Sequence, residues 1–199
     1  MPPLVAKHFD LQTLTDVLDQ RQPATIEAAR RAAVAIILRS NADQIAELLF
    51  IQRAEHPEDP WSGHMAFPGG RLEASDRDPR HGAARETREE IGLDLSNGAA
   101  RFLGYLDDVQ VHAKGAPVDM AITPCVFELL ETPQAFTPNQ EVQSTHWFSA
   151  RALTDADNHQ LMNYNYRGTN LHLSSVVIDG QRIWGLTFRM LQSFFELLR

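Results

Sequence analysis

Three glutamates close together on one predicted helix, Glu86, Glu89 and Glu90, are the residues of this chain best suited to chemistry. At ~100° per residue they fall on one helix face within an arc of roughly 100°, with Gly82 beside them. Carboxylates crowded in this way repel one another unless a cation sits among them, and hard divalent ions such as Mg²⁺ favour oxygen ligands. Arg85, four residues before Glu89, is placed to orient it through an ion pair. The small residues Gly82 and Ala83 are read as leaving room for a bulky ligand above the metals. Gly69 and Gly70 follow Ala66-Phe67-Pro68, so backbone carbonyls are able to bend towards the same ions where a side chain would obstruct. The chemistry implied is cation binding against a charged substrate, although the helix alone fits a solvated acidic face equally well.

The acidic helix is expected over 79–91, with Pro79 suited to its first turn and Gly92 to its C-cap. Ala84, Thr87 and Ile91 share a different face, suited to packing on a sheet. Strands are expected over 32–39 and 47–54, joined by the polar turn SNADQ, and over 101–106, 120–129 and 141–148. The segments 171–178 and 182–184 flank Asp179-Gly180, a strong hairpin signal. Leu11, Leu14, Val17 and Leu18 recur at helical spacing in a first helix that Pro23 ends. It either packs on the domain or serves a homodimer, and the sequence leaves both open. A last amphipathic helix over 186–198 carries Leu186, Met190, Leu191, Phe194, Phe195 and Leu198 on one side. The stretch 56–63 (HPEDPWSG) reads as a loop, either a rigid turn with Trp61 packed inward or part of a substrate pocket. The stretch 111–117 (VHAKGAP) also reads as a loop, in which His112 and Lys114 either meet a phosphate or are solvated. The whole is one mixed α/β domain without repeats or linkers.

With 199 residues, 43% of them apolar and 22% charged, the chain has enough core for one domain, and wholesale disorder is excluded. Its 18 Lys and Arg against 26 Asp and Glu give a net charge of −8, which disfavours binding to nucleic acid. A small phosphorylated substrate stays compatible with that charge if metal ions mask it locally. The single Cys125 suits a reducing cytoplasm. No signal peptide is expected, and the apolar run 32–38 is far too short to span a membrane.

These residues resemble the Nudix hydrolase family, whose signature is G-x5-E-x7-R-E-U-x-E-E-x-G-U with U apolar. The second half, Arg85-Glu86-Thr87-Arg88-Glu89-Glu90-Ile91-Gly92-Leu93, matches except at Thr87, where an apolar residue is usual. In the first half Asp76 stands in place of the glutamate, and eight residues instead of seven separate it from Arg85. The insertion falls at or before the helix start, where a loop absorbs it. The resemblance runs from about Ala32 to the C-terminus, dividing the chain into an N-terminal helical extension (1–31) and a Nudix hydrolase domain (32–199). It implies an α/β fold: an α/β/α sandwich with a mixed sheet and a loop–helix–loop that holds Mg²⁺ or Mn²⁺. By the same resemblance Glu86 and Glu90 are the main metal ligands, helped by Glu89 and the Gly69 carbonyl. The reaction implied is hydrolysis of a nucleoside diphosphate linked to another group. Glu141, just before a predicted strand, is the expected general base, with Glu89 as the alternative. Arg53 and Arg85 are the cations expected to contact substrate, although Arg53 fits a plain surface charge equally well.

Within the family the chain is most similar to coenzyme A diphosphatases. Arg53-Ala54, then Gly63 and Phe67-Pro68-Gly69-Gly70 with the right final spacing, follow their upstream pattern, and Trp184-Gly185-Leu186-Thr187 is similar to their W-G-M/L-T segment. The inner arginine of that pattern is missing, with Glu58 and Asp59 standing there. Trp184 reads as plain core ahead of substrate contact. The window 108–111 holds neither the proline nor the tyrosine that marks ADP-ribose and diadenosine polyphosphate enzymes. The implied substrate is coenzyme A or an acyl-CoA, giving 3′,5′-ADP and 4′-phosphopantetheine. ADP-sugars, other nucleotides and a catalytically silent binding module stay open as alternatives.

Overall fold

The computed structural model describes residues 9–41, 45–56, 62–113, 116–166 and 169–198. They form, in chain order, α1 (Leu11–Gln20), β1 (Arg30–Ser40), β2 (Ala46–Arg53), β3 (Met65–Ala66), β4 (Gly69–Arg71), α2 (Pro79–Ile91), β5 (Ala100–Tyr105), β6 (Val109–Ala113) and β7 (Ala116–Leu129). There follow β8 (Val142–Ser149), α3 (Ala150–Thr154), a 3-10 turn (Ala156–Asn158), β9 (His159–Tyr166), β10 (Thr169–Ile178), β11 (Gln181–Trp184) and α4 (Gly185–Glu196).

β1 is apolar from Ala32 to Leu38 because both faces of that run are covered. Ala33, Ala35 and Ile37 pack under α2 with Leu49, Ile51 and Phe127. The alternate residues Val34, Ile36 and Leu38 join Leu14 and Leu18 of α1 and Phe188, Leu191 and Phe194 of α4 on the other side. The sheet runs β3-β2-β1-β7-β5, with β4 also on β1, β6 on β7 and β8 on β2. It is mixed: β1 pairs parallel with β7, while its pairings with β2 and β4 are antiparallel. An α/β fold with helices on both faces of a mixed sheet is what the sequence implied. Strands β9, β10 and β11 form a second, antiparallel sheet.

α1 is held by its Asp10 cap, whose carboxylate accepts the Gln12 and Thr13 N–H groups, and its buried Leu14 and Leu18 settle that it packs on its own domain. The Asp179-Gly180 hairpin forms as expected, with both residues at positive φ.

Two elements differ from expectation. Residues 111–113, read as part of a loop, belong to β6, because Val109 and Val111 alternate into the core while the strand pairs with an extension of β7. Polar β9 carried no alternation, and it is ordered by its ladder with β10. Trp61, Glu58, Asp59 and Lys114 lie outside the described residues.

Candidate active site

α2 begins where Asp78 caps it, accepting the His81 N–H at 2.8 Å, with Pro79 in the first turn. It ends at Gly92, which is left-handed and donates its N–H to the Arg88 carbonyl. Ala83, Thr87 and Ile91 are fully buried on the sheet, and the Thr87 hydroxyl, tolerated where an apolar residue is usual, donates to the Ala83 carbonyl.

With that face fixed, helical spacing directs Glu86 and Glu90 towards β4 and leaves Glu89 with 51% of its side chain exposed. Glu90 is 3% exposed, and its Oε2 accepts the Gly69 N–H at 2.9 Å. Only glycine serves at 69: φ is +148°, and a Cβ there would collide with the Ala33 carbonyl. At Gly70 a Cβ would lie 2.5 Å from the Glu86 carboxylate, so that carboxylate occupies the space the missing side chain leaves.

Arg85 ties the cluster together. Its guanidinium donates to both oxygens of Asp76 (3.2 and 3.0 Å), to Glu86 Oε1 (3.1 Å), to Glu89 Oε2 (3.1 Å) and to the Arg71 carbonyl (3.0 Å). The Asp76 side chain is hidden from solvent and is also met by His81 Nδ1 at 3.0 Å. The Arg85 guanidinium, against the cost of burial, holds the Asp76 carboxyl down at about 2. Two expectations are corrected here. Arg85 was expected to contact substrate, yet its donors are directed to protein oxygens, so its work in this geometry is orientation. Gly82 and Ala83 leave no space for a ligand: Leu72 and Asp76 fill the position of a Gly82 side chain, and Ala83 is core.

Glu141 reaches the same place by another route. The Thr137 and Asn139 N–H groups donate to the last carbonyls of α2, at Ile91 (2.9 Å) and Glu90 (2.8 Å). Asn139 Oδ1 then accepts the Glu141 N–H at 2.8 Å, and the Glu141 carbonyl accepts the Ala54 N–H at 2.8 Å. A register shift between Gln52 and Arg53 sets Arg53 opposite Val142. Such irregularities re-aim side chains. The Arg53 charge favours ionised Glu90, whereas the Glu141 charge opposes ionisation of both Glu86 and Glu90. The structure therefore brings Glu86, Glu89, Glu90, Glu141, Gly69 and Arg53 to one region. Asp76 as the Arg85 partner, and Thr137 and Asn139 as the tether, were not assigned from sequence; the Asp76 charge was the one available signal.

Burial pushes the Glu90 carboxyl up to about 8; the Gly69 N–H and Arg53 oppose that rise, while Glu86 and Glu141 add to it. Burial likewise raises Glu86, against the pull of Arg85. Among the described residues no three acids are drawn into a ready-made metal cage, but the charges of Glu86 and Glu141 that oppose ionisation of buried Glu90 are ones a hard cation would offset. The glycine cradle under Glu86 fits the same purpose.

Trp184 stands at the end of β11, half-exposed, against the rings of His64 and Tyr164. Thr187, three residues on, donates its hydroxyl to the Met65 carbonyl at 3.0 Å and so joins α4 to β3.

The NUDIX domain matches residues 29–167. The chain belongs to the Nudix hydrolase family. A Schizosaccharomyces pombe protein, "Uncharacterized protein C14C4.10c", is 32% identical over 158 residues, covering 70% of this chain and 48% of that protein. The chain thus spans about half the length of that relative. Mouse mitochondrial coenzyme A diphosphatase NUDT8 is 26% identical over 180 residues, 89% of this chain and 83% of that protein. Among solved structures, a Caenorhabditis elegans Ap4A hydrolase complex matches with a TM-score of 0.50 at 22% identity, over 65% of this Nudix chain and 89% of its own, a likeness of fold. Relatives that share this domain are named as a diphosphatase and a hydrolase. Nudix hydrolases generally use divalent metals. Among the described residues no helix is long and apolar enough to cross a membrane.

Proposed function

We propose that this Nudix hydrolase cleaves the diphosphate of coenzyme A or an acyl-CoA, giving 3′,5′-ADP and 4′-phosphopantetheine. The observation that carries the reading is the Thr187–Met65 hydrogen bond. It links the two segments that resemble coenzyme A diphosphatases, 184–187 and the run leading into Phe67-Pro68-Gly69-Gly70, and Gly69 in turn donates its N–H to Glu90. The likeness to NUDT8 over most of both chains supports the same substrate. The buried thiol of Cys125 agrees with a reducing compartment, and we assign the cytoplasm.

Glu86, Glu89, Glu90 and the Gly69 carbonyl would hold the Mg²⁺ or Mn²⁺. Divalent ions held there supply neutralisation of the diphosphate charge and polarise its phosphorus towards water. Arg53 binds a phosphate oxygen, for which a guanidinium is suited. Arg85 fixes the rotamers of Glu86 and Glu89. Glu141 takes the proton of the attacking water. Loss of a general base costs ~10²–10⁴-fold, so Glu141→Gln is expected to lower kcat within that range with little change in KM. A larger loss in Glu89→Gln than in Glu141→Gln would transfer the role to Glu89.

Gly70→Ala is expected to weaken Mn²⁺ binding ~10-fold or more, because the new methyl displaces the Glu86 carboxylate. Stability should change by less than about 1 kcal/mol, since the displaced group is the end of a flexible side chain. Calorimetric titration with Mn²⁺ and thermal melts read the two effects separately. The substrate itself is tested by turnover with Mg²⁺ or Mn²⁺ over coenzyme A, acetyl-CoA, ADP-ribose, NADH and diadenosine polyphosphates. Coenzyme A or its thioester should have the highest kcat/KM, and preference for any other compound would overturn the assignment.

A further inference from the structure

We propose that His64, Tyr164 and Trp184 form an aromatic shelf on which the nucleobase of the substrate stacks. The inference rests on the nucleotide-diphosphatase reading and adds to it the subsite that holds the base. The Trp184 ring lies 4.7 Å from His64 and 5.2 Å from Tyr164 between centroids, with interplanar angles of 61° and 48°. Neither contact is parallel, so neither neighbour lies flat on the indole.

Register decides which way the shelf faces. Trp184 pairs with Ser175, and Tyr164 pairs with Leu171. Ser175, Leu173 and Leu171 alternate along β10 and share one face, which places the Trp184 and Tyr164 rings on that face together. The opposite face sends Val176 and Ile183, both 0% exposed, into the core beneath α4. His64 arrives from the neighbouring edge: Met65 is core on the α4 side, so the residue before it points to the other side of the sheet. The His64 carbonyl accepts the Arg53 N–H at 3.0 Å. The shelf therefore begins on the segment bonded to Arg53, whose charge acts on Glu90.

The core below is filled by Val176, Ile183 and Phe188, so packing does not require three more rings that keep partial exposure, with Tyr164 at 37%. A planar heterocycle lying against such rings gains stacking contact whatever its sequence of edge groups. A phosphate chain running from Arg53 towards the acidic cluster leaves the base of the same molecule on this side of β3.

The test compares AMP with ribose 5-phosphate, which lacks the base, by calorimetric titration in Mg²⁺. The wild type should bind AMP ~10-fold or more tightly than ribose 5-phosphate. Trp184→Leu and Tyr164→Leu should bring the two affinities within ~3-fold of each other, while Trp184→Phe keeps the preference. Tyr164 is exposed, so its variant keeps the proposal testable if Trp184→Leu fails to fold. Equal affinities in the wild type, or an undiminished AMP preference in folded leucine variants, would overturn the shelf. The titration involves no hydrolysis, whereas coenzyme A turnover by the wild type reads the substrate assignment without reference to the shelf.

Discussion

Glu90→Gln should lower kcat/KM by ~10²–10³-fold and, in the same protein stripped of divalent ions, raise stability at pH 8. Glutamine keeps the volume and an acceptor for the Gly69 N–H but carries no charge, so the change isolates the charge of a nearly buried acid. In the native protein the Glu90 carboxyl is raised from 4.5 to about 8, so between those values the folded state binds more protons than the unfolded one. Its contribution is therefore fully present below the unfolded value and lost as pH rises through about 8. Removing the ionisable group removes that loss, on the order of 4 kcal/mol at pH 8. Thermal melts in a chelator at pH 5 and pH 8 should show wild type losing ground to Glu90→Gln as pH rises. Saturating Mn²⁺ should reverse the order, because it stabilises the ionised form. Parallel pH profiles for the two proteins would sink the assignment of Glu90 as the buried charge of the site.

Asp76→Asn has the second largest expected effect, and here the sign is opposite. Asp76 gives both oxygens to Arg85 with no solvent exposure of its side chain, and removing its charge leaves the largely buried guanidinium to Glu86, Glu89 and the Arg71 carbonyl alone. A loss of about 2–4 kcal/mol follows, which for a chain of this size lowers Tm by roughly 5–15 °C. Arg85, released on one side, shifts towards Glu86 and Glu89, and turnover should fall ~10–100-fold. The native carboxyl is held at about 2 against 3.8 unfolded, so its stabilisation is present above 3.8 and lost as pH falls through about 2. Urea unfolding should therefore show a gap between wild type and variant that is constant near neutrality and closes in acid. A gap that persists unchanged down to pH 2 would show that Asp76 acts through something other than its charge.

Much of this site was legible because its signals are local. Pro79 and Gly92 bound α2 at the residues predicted, and the 3.6-residue period alone puts Glu86 and Glu90 on a face separate from Thr87 and Ile91. Glycine pairs after an apolar run mark a close approach of backbone, and Gly69 and Gly70 are where it occurs. The failures are equally physical. A small residue on a helix serves either a ligand or a neighbour, and at Gly82 the neighbours are Leu72 and Asp76, from a loop whose path the sequence does not encode. Arg85 looked available to substrate because its partners on that loop, at 71 and 76, meet it only in three dimensions. Strands β6 and β9 take their form from partners, β7 and β10, more than from their own alternation. Glu141 was legible as a candidate, but the hydrogen bonds of Thr137 and Asn139 that carry it to the end of α2 were not.

The parallel ladder between β1 and β7 has a consequence for how the molecule is made. Residues 30–38 find their partners at 120–128, and everything from β2 to β6, including the acidic helix, is threaded between them. At ~5–20 residues per second of translation, about ninety residues separate the emergence of β1 from that of its mate by ~5–20 s. Through that interval β1 presents an apolar edge with one side unpaired, the kind of surface that invites a chaperone or another nascent chain. High contact order of this type makes closure of the central ladder a slow, late event. The helix that gathers the carboxylates is thus complete on the ribosome well before β7 brings Cys125 and Phe127 to finish the floor beneath it.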